Sequence, residues 1–298
     1  MPPPSFADDQ ELLAYLAARL RAAIDDPDGV IGATAQLIRR AIDEVIDAPR
    51  TKRLVLSECE KTEKTYLGTK VEILFRDAIG QPKGEYLDLN LGGVDTDIKH
   101  SIGTAWMIPR EALHKPCVLI SENEETARFN LGLIICRPEN LTAGGNRDQK
   151  LQVSAYGREQ ALWLARNEPY PANIWQGFDP ELLAVISAHR GGAARIAELF
   201  RNLQGRPIPR TAIAAIAAQL DPLKRVRANG GARDILRPEG IVILWGQNDR
   251  ALIAALGLPP LLSDEFISFT PRTEREAEKL RAAGHLDADH TEFSPPPG

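Results

Sequence analysis

The sequence predicts an α/β domain, a mixed sheet flanked by helices, followed by a mainly α-helical second domain. Three observations predict it. Apolar residues recur at three- and four-residue spacing between Leu12 and Ile46. Period-two alternation takes over between 85 and 136, and after Pro169-Tyr-Pro171 the chain turns to short alanine-rich segments. The length of 298 residues has room for two such domains, since single domains usually run to about 100–200 residues. A composition 43% hydrophobic and 26% charged excludes a disordered or fibrous chain over most of the length.

Taken in order, Asp8 or Asp9 can cap a first helix carrying Leu12, Leu13, Leu16, Leu20 and Ile24. A second helix runs from Val30 to Ile46, after an Asp-Pro-Asp-Gly turn at 26–29. Residues 53–78 read two ways. Val71, Leu74, Phe75 and Ala78 have helical spacing, whereas Val71, Ile73 and Phe75 have strand spacing. Strand-like runs follow at 85–91, 94–99, 117–121 and 131–136, and a helix from Ser154 to Arg166 closes the first domain. Two prolines flanking Tyr170 stiffen the chain, so a linker is placed at 167–171, between a domain at 6–166 and another at 172–298. Helices are predicted at 180–189, 192–203 and 211–220. Thr211 caps the last of these, with Ile213, Ile216 and Leu220 on one face. Gly240–Trp245 reads as a strand, and the tail ending in Pro295-Pro-Pro-Gly298 as frayed.

No apolar run approaches the roughly 20 residues that cross a bilayer, and the start Met1-Pro-Pro-Pro-Ser-Phe-Ala-Asp-Asp is not a secretory signal. Cys59, Cys117 and Cys136 are odd in number and far apart, which suits a reducing cytoplasm; with 5 histidines and no paired cysteines, a zinc site is not expected. The net charge of -5 conceals an uneven distribution. From His189 to Arg237 there are ten basic residues (Arg190, Arg195, Arg201, Arg206, Arg210, Lys224, Arg225, Arg227, Arg233, Arg237) against Glu198, Asp221 and Asp234. A local basic surface is what a phosphate backbone requires. Arg206 and Arg210, before a helix, and Lys224, Arg225 and Arg227 are the candidate phosphate contacts. Asn146, Arg147, Asp148 and Lys150, in a glycine-rich loop, are candidates for base reading.

The most informative segment is Glu85–His100. Leu87, Leu89 and Leu91 alternate with Tyr86, Asp88 and Asn90; after Gly92-Gly93, Val94, Thr96 and Ile98 alternate with Asp95, Asp97 and Lys99. Glycine accepts the positive φ of a two-residue hairpin loop without strain, and such a loop sets the register: 91 faces 94, 89 faces 96 and Asp88 faces Asp97. One face is apolar. The other opposes two carboxylates, whose β-carbons would lie about 4.5–5.5 Å apart and repel. A divalent cation removes that penalty, and Mg2+ takes one or two carboxylates together with waters and phosphate oxygens. Lys99 points from the same face, where its ammonium can hold a water or a phosphate under attack. Asp95 competes with Asp97, but the Asp-x-Lys spacing favours Asp97. His100 falls on core-facing parity and reads as structural.

Asp88 with Asp97-Ile-Lys99 matches the Asp-(x)n-(Asp/Glu)-x-Lys signature of the restriction-endonuclease-like superfamily. The longer strings Glu60-Lys-Thr-Glu-Lys-Thr-Tyr-Leu-Gly-Thr-Lys-Val-Glu72, Asp88–Ser101, Arg137-Pro-Glu-Asn-Leu and Gly145-Asn-Arg-Asp-Gln-Lys150 together resemble the NaeI family of type II restriction endonucleases. The resemblance runs from about Phe6 to Phe269 and is less distinct after Pro171. It implies a restriction-endonuclease-like metal-dependent nuclease domain followed by a winged helix-turn-helix domain that binds DNA. It also adds Glu72, sixteen residues before Asp88, to Asp88 and Asp97 as ligands of Mg2+, with Lys99 as the fourth catalytic residue. A homodimer, duplex DNA in substrate and effector copies, a cognate DNA methyltransferase and a GC-rich palindromic target are implied likewise. Two other readings compete: a DNA-binding regulator without catalysis, and a monomeric repair or defence nickase.

Overall fold

Capping residues and apolar spacing account for most of the secondary structure in the computed structural model, which describes residues 4–145, 148–217 and 221–287. The chain divides into two units. The first takes the chain up to Ile46 and again Val55–Gln176; the second takes Asp47–Leu54 and the chain from Gly177. The predicted linker at 167–171 is therefore corrected: 167–169 are strand, and the division falls after Gln176.

In the first unit Asp8 accepts the N–H of Glu11 and starts α1 (Asp9–Arg21), which buries Leu13, Leu16 and Leu20. The second helix, α2 (Gly29–Ile46), is separated by a short α3 (Ala48–Thr51), which belongs to the second unit, from α4 (Lys61–Ala78). The ambiguous segment is thus helical in its second half. Leu67, Val71 and Phe75 are buried at four-residue spacing, whereas Ile73, which a strand would have buried beside Val71, is 39% exposed.

Then come β1 (Leu89–Leu91), β2 (Val94–Ile102), β3 (Met107–Ile108), β4 (Pro116–Asn123), β5 (Arg128–Ile135), β6 (Leu151–Gln152), α5 (Ala155–Gln160) and β7 (Leu162–Pro169). Five strands form one sheet in the order β1-β2-β4-β5-β7, in which only the β2–β4 pair is parallel. Along β4 every residue but Asn123 is buried, so both faces of the sheet are covered. Cys117 and Leu119 pack with Trp106, Ile134, Cys136 and Val153, while Val118 and Ile120 point the other way. All three cysteines are buried.

The predicted helix at 154–166 is another correction. Ser154 does cap α5, accepting the N–H of Gly157, but the helix ends at Gln160 and 162–169 are strand. The reason is tertiary. The outer edge of β5 carries backbone groups that need partners, and Trp163 lies opposite Gly132, which leaves room for its ring: a Cβ there would come 2.6 Å from Trp163.

The second unit contains α3, α6 (Pro180–Ala188), α7 (Gly192–Asn202), β8 (Ile208–Pro209), α8 (Arg210–Ala217), α9 (Ala232–Leu236), β9 (Val242–Trp245), α10 (Arg250–Ala255), β10 (Glu265–Phe269) and α11 (Glu274–Ala282). The strands form an antiparallel sheet in the order β8-β10-β9, and Leu244, Ile253, Ile267, Ala277 and Leu280 share one core. Because α8 begins at Arg210, Thr211 falls inside its first turn rather than at its cap; Leu220 and the tail from 288, for which fraying was expected, lie outside the described residues. No helix among the described residues is long and apolar enough to cross a membrane.

Candidate active site

The Gly92-Gly93 turn takes positive φ at both residues (62° and 89°) and sets the register that alternation predicts: Leu91 opposite Val94, Asn90 opposite Asp95, Leu89 opposite Thr96. The ladder then stops. Asp88 lies one residue beyond it, so its opposition to Asp97 is not a strand pairing; the side chain itself closes the gap. Asp88 Oδ2 accepts the backbone N–H of Ile98 (3.3 Å) and a hydrogen bond from Lys99 Nζ (3.3 Å). Lys99 Nζ also donates to Asp97 Oδ1 (2.7 Å) and to the carbonyl of Ile98 (2.8 Å). Glu72 on α4 brings Oε1 to 4.0 Å from the same nitrogen. One strand, the bend that leads into β1 and a helix thus gather three carboxylates around one ammonium.

The environment makes this charge excess costly. Burial works against the Lys99 charge, but Asp97 and Glu72 outweigh it and hold the ammonium above its ordinary range. Burial, reinforced by the neighbouring aspartates, pushes Glu72 up to about 7. Burial and the proton it can share with Asp88 raise Asp97 as well. Asp88 moves the other way: burial is outweighed by Asp97, Lys99 and the Ile98 N–H. The Asp97 side chain is 4% exposed, and its Oδ2 is buried with no hydrogen-bond partner among the described residues. No three His, Cys, Asp or Glu side chains among the described residues are arranged to hold a metal by themselves. The orphaned Asp97 oxygen beside the part-exposed Asp88 carboxylate nevertheless fits Mg2+, which takes one or two carboxylates and completes its shell with water and phosphate oxygens.

Asp95, the competitor, turns away from the lysine. Its two oxygens accept the N–H groups of Tyr86 and Leu87. His100 is buried on the opposite parity of β2, and burial lowers its imidazole to about 4.

The family model for restriction endonuclease NaeI matches residues 15–286. The chain belongs to the NaeI family of restriction endonucleases. It is similar to the type II restriction enzyme NaeI of Lentzea aerocolonigenes, at 37% identity over 266 residues that cover 86% of this chain and 82% of that one.

The other strings that resemble the NaeI family have structural employment. Arg137 holds Asp9 at the start of α1 through two hydrogen bonds (2.9 and 2.7 Å). Asn140 donates to the carbonyl of Ile135, and its own carbonyl accepts from Ser154. The glycine-rich loop is closed by Thr142 and Gln152, which bond each other. Asn146 and Arg147 lie outside the described residues. Asp148 and Lys150 are exposed, and the charge of Lys150 acts on Glu72, which brings the base of this loop toward the site.

In the second unit Arg206, Arg210, Lys224, Arg225 and Arg227 are exposed, and Lys224 pairs with Asp221 at 3.3 Å. Other members of the basic segment tie the NaeI-family fold together. The Arg195 guanidinium caps the carbonyls of Ile216 and Ala217, and Arg201 bridges Glu198 and Glu239.

Two features escaped the sequence reading. Arg76 on α4 donates to the carbonyl of Asp88 (3.2 Å). A buried ion cluster joins Arg39 to Asp43 (2.6 Å) and Glu124 (3.2 Å), and Glu124 also accepts from Leu56 N–H and Asn173. An available signal was Arg39 itself, a charge falling at helical spacing within the apolar stripe Ala35, Ile38, Ile42 and Ile46.

Proposed function

We propose that the chain is a site-specific type II endonuclease that hydrolyses phosphodiester bonds of duplex DNA with Mg2+, leaving 5′-phosphate and 3′-hydroxyl ends. The observation that supports it is the single ammonium of Lys99 surrounded by Asp88, Asp97 and Glu72, in a chain of a restriction endonuclease family. Asp88 and Asp97 would hold the ion, with Glu72 reaching it directly or through water. Bound there, Mg2+ would supply an activated water and charge stabilisation for the departing 3′ oxygen.

The chain's own residues would do the rest. Lys99 would orient the attacking water in line with the leaving group and offset the charge that develops on phosphorus. The three carboxylates keep it protonated for that purpose. Glu72, poised near neutrality, is placed to exchange a proton with the incoming water.

Duplex cleavage at a palindrome calls for two equivalent sites, and a two-fold homodimer supplies them. The second unit would read or hold DNA as a winged helix-turn-helix domain. Its helices α7 and α8, its three-stranded antiparallel sheet and its exposed arginines suit that role, and an effector copy of DNA would bind there. The loop carrying Asn146, Arg147, Asp148 and Lys150 would contact bases near the cut. Self-protection of the host calls for a methyltransferase acting on the same sequence.

The test is supercoiled plasmid with and without Mg2+. Linear product with 5′-phosphate ends, only with the metal, is expected. Retarded plasmid without cutting would leave a regulator, and nicked circles alone a monomeric nickase.

A further inference from the structure

Asp95 takes no part in the lysine-centred cluster, yet its whole carboxylate is committed to the backbone leading into Asp88. Oδ2 accepts the N–H of Tyr86 (3.1 Å) and Oδ1 that of Leu87 (3.3 Å). Gly84 is pressed against the same group: a Cβ at that position would fall 1.9 Å from Asp95 Oδ1 and 2.8 Å from the carbonyl of Leu87. The Asn90 N–H closes the reversal on the carbonyl of Pro82 (2.9 Å), and Arg76, one helical turn after Glu72, holds the carbonyl of Asp88. These contacts occupy the stretch where ladder hydrogen bonds have ended, so nothing in the β1–β2 pairing itself aims Asp88.

We propose that Asp95 is a positioning residue for the endonuclease reading above, on which this inference rests. It clamps the Gly84–Leu87 turn so that the Asp88 carboxylate is presented to Ile98, Lys99 and a cation. Each of the two N–H donors meets its own oxygen, so the clamp uses both acceptors of the carboxylate, whereas an amide of the same length would turn a donating NH2 toward one of them. Gly84 is the position that accommodates the clamp, and Arg76 braces the same backbone from α4. Asp95 touches neither Lys99 nor the candidate ligands among its hydrogen bonds, so it acts through Asp88. Residues that orient metal ligands typically change metal affinity or activity about 10- to 100-fold when removed.

The test uses the full chain and four variants: Asp95→Ala, Asp95→Asn, Gly84→Ala and the Gly84→Ala/Asp95→Ala double. The Mg2+ concentration for half-maximal plasmid cleavage should rise about 10- to 100-fold in Asp95→Ala and Gly84→Ala, with most of the rate recovered at saturating Mg2+. Mn2+ binding, followed by electron paramagnetic resonance without catalysis, should weaken by the same factor. Asp95→Asn, which keeps one acceptor oxygen, should fall between wild type and Asp95→Ala and serves if the alanine variant does not fold. The double variant should be no worse than the worse single, since both changes break one clamp.

Unchanged Mg2+ and Mn2+ responses in both single variants, with only a lower melting temperature, would reduce Asp95 to a brace of the turn and overturn the proposal. So would loss of Mn2+ binding in Asp95→Ala as complete as in Asp97→Asn, which would make it a ligand. Asp88→Asn separates the two levels. If the unsubstituted chain does not cut, the endonuclease reading itself fails; if it cuts and Asp88→Asn cuts equally well, the placement of the metal at Asp88 fails and the clamp with it. If Asp88→Asn is dead while Asp95→Ala and Gly84→Ala respond like wild type, only the clamp fails.

Discussion

Two acidic clusters lie in the first unit, each built around one cation, and they are partnered differently. Around Arg39, the Glu124 carboxylate receives three donors: Arg39 itself, the Leu56 N–H (2.7 Å) and Asn173 Nδ2 (2.9 Å). Around Lys99, three carboxylates compete for one ammonium, and Asp97 Oδ2 is buried without a nitrogen donor among the described residues. A cluster whose buried carboxylate is met by donors holds a fold together, even though Arg39 Nε itself finds no acceptor among the described residues. A cluster with surplus, unmet carboxylate is destabilising until something positive arrives, which is how a metal-dependent site differs from a structural ion pair of similar composition. Glu122, two residues before Glu124 on β4, shows the third outcome. Its Oε1 faces His100 Nε2 at 3.9 Å with neither atom partnered, and burial, with the Glu124 charge adding, pushes its carboxyl up to about 7.

The comparison breaks or sharpens under substitution. The largest expected effect is on chemistry: Lys99→Ala should lower cleavage at least about 100- to 1,000-fold while DNA retardation on gels persists. Substantial turnover by that variant would remove the lysine from its assigned role. Next comes the contrast in stability. Glu124→Ala strips three donors of their acceptor and leaves Arg39 short of a partner, so unfolding should become easier by about 3–5 kcal/mol. Asp97→Asn, measured without metal, should leave the melting temperature equal or raised because it relieves repulsion. If both variants melt early, the two clusters do not differ as argued.

A smaller effect concerns protons and metal. Glu72 near 7 and the raised Asp97 must be deprotonated to ligate a cation, so half-saturating Mg2+ should fall as pH climbs from 6 to 8, by up to about tenfold per unit for each proton displaced. A flat response would show that neither carboxyl meets the metal.

The smallest effect is at Glu122. Its folded-state pKa is raised from 4.5 to about 7, so its contribution to stability is present below 4.5 and lost as pH rises through 7. Glu122→Gln should therefore gain on wild type between pH 5 and 8, by roughly 3 kcal/mol at most, as thermal melts across that range would record.

Much of the site was legible before any coordinates. The Gly-Gly turn and the strict alternation around it determined the hairpin register, because a two-residue loop leaves strands no freedom to slip. That local information was enough to put Asp97 and Lys99 on one face of β2 and to bring the chain at Asp88 near them, but not to aim the Asp88 side chain. It did not extend to a strand before Leu89, since Glu85–Asp88 leave the ladder and follow Asp95 instead. Reading 154–166 as one helix failed for a related reason. Ser154 is a real cap, but the backbone demand of β5, forty residues away in places, outweighed local helical preference.

By itself, then, the sequence determined what nearest neighbours control: helix starts, the tight turn, the alternation of faces, and the spacing of an Asp-x-Lys pair, all of which depend on backbone sterics within a few residues. Only the tertiary structure decided that Asp95 turns to the backbone of Tyr86 and Leu87, that Glu72 arrives from a helix rather than a strand, and that 162–169 complete a sheet. Each of those outcomes depends on burial and on hydrogen bonds between segments distant in the chain, energies that no short window of residues contains.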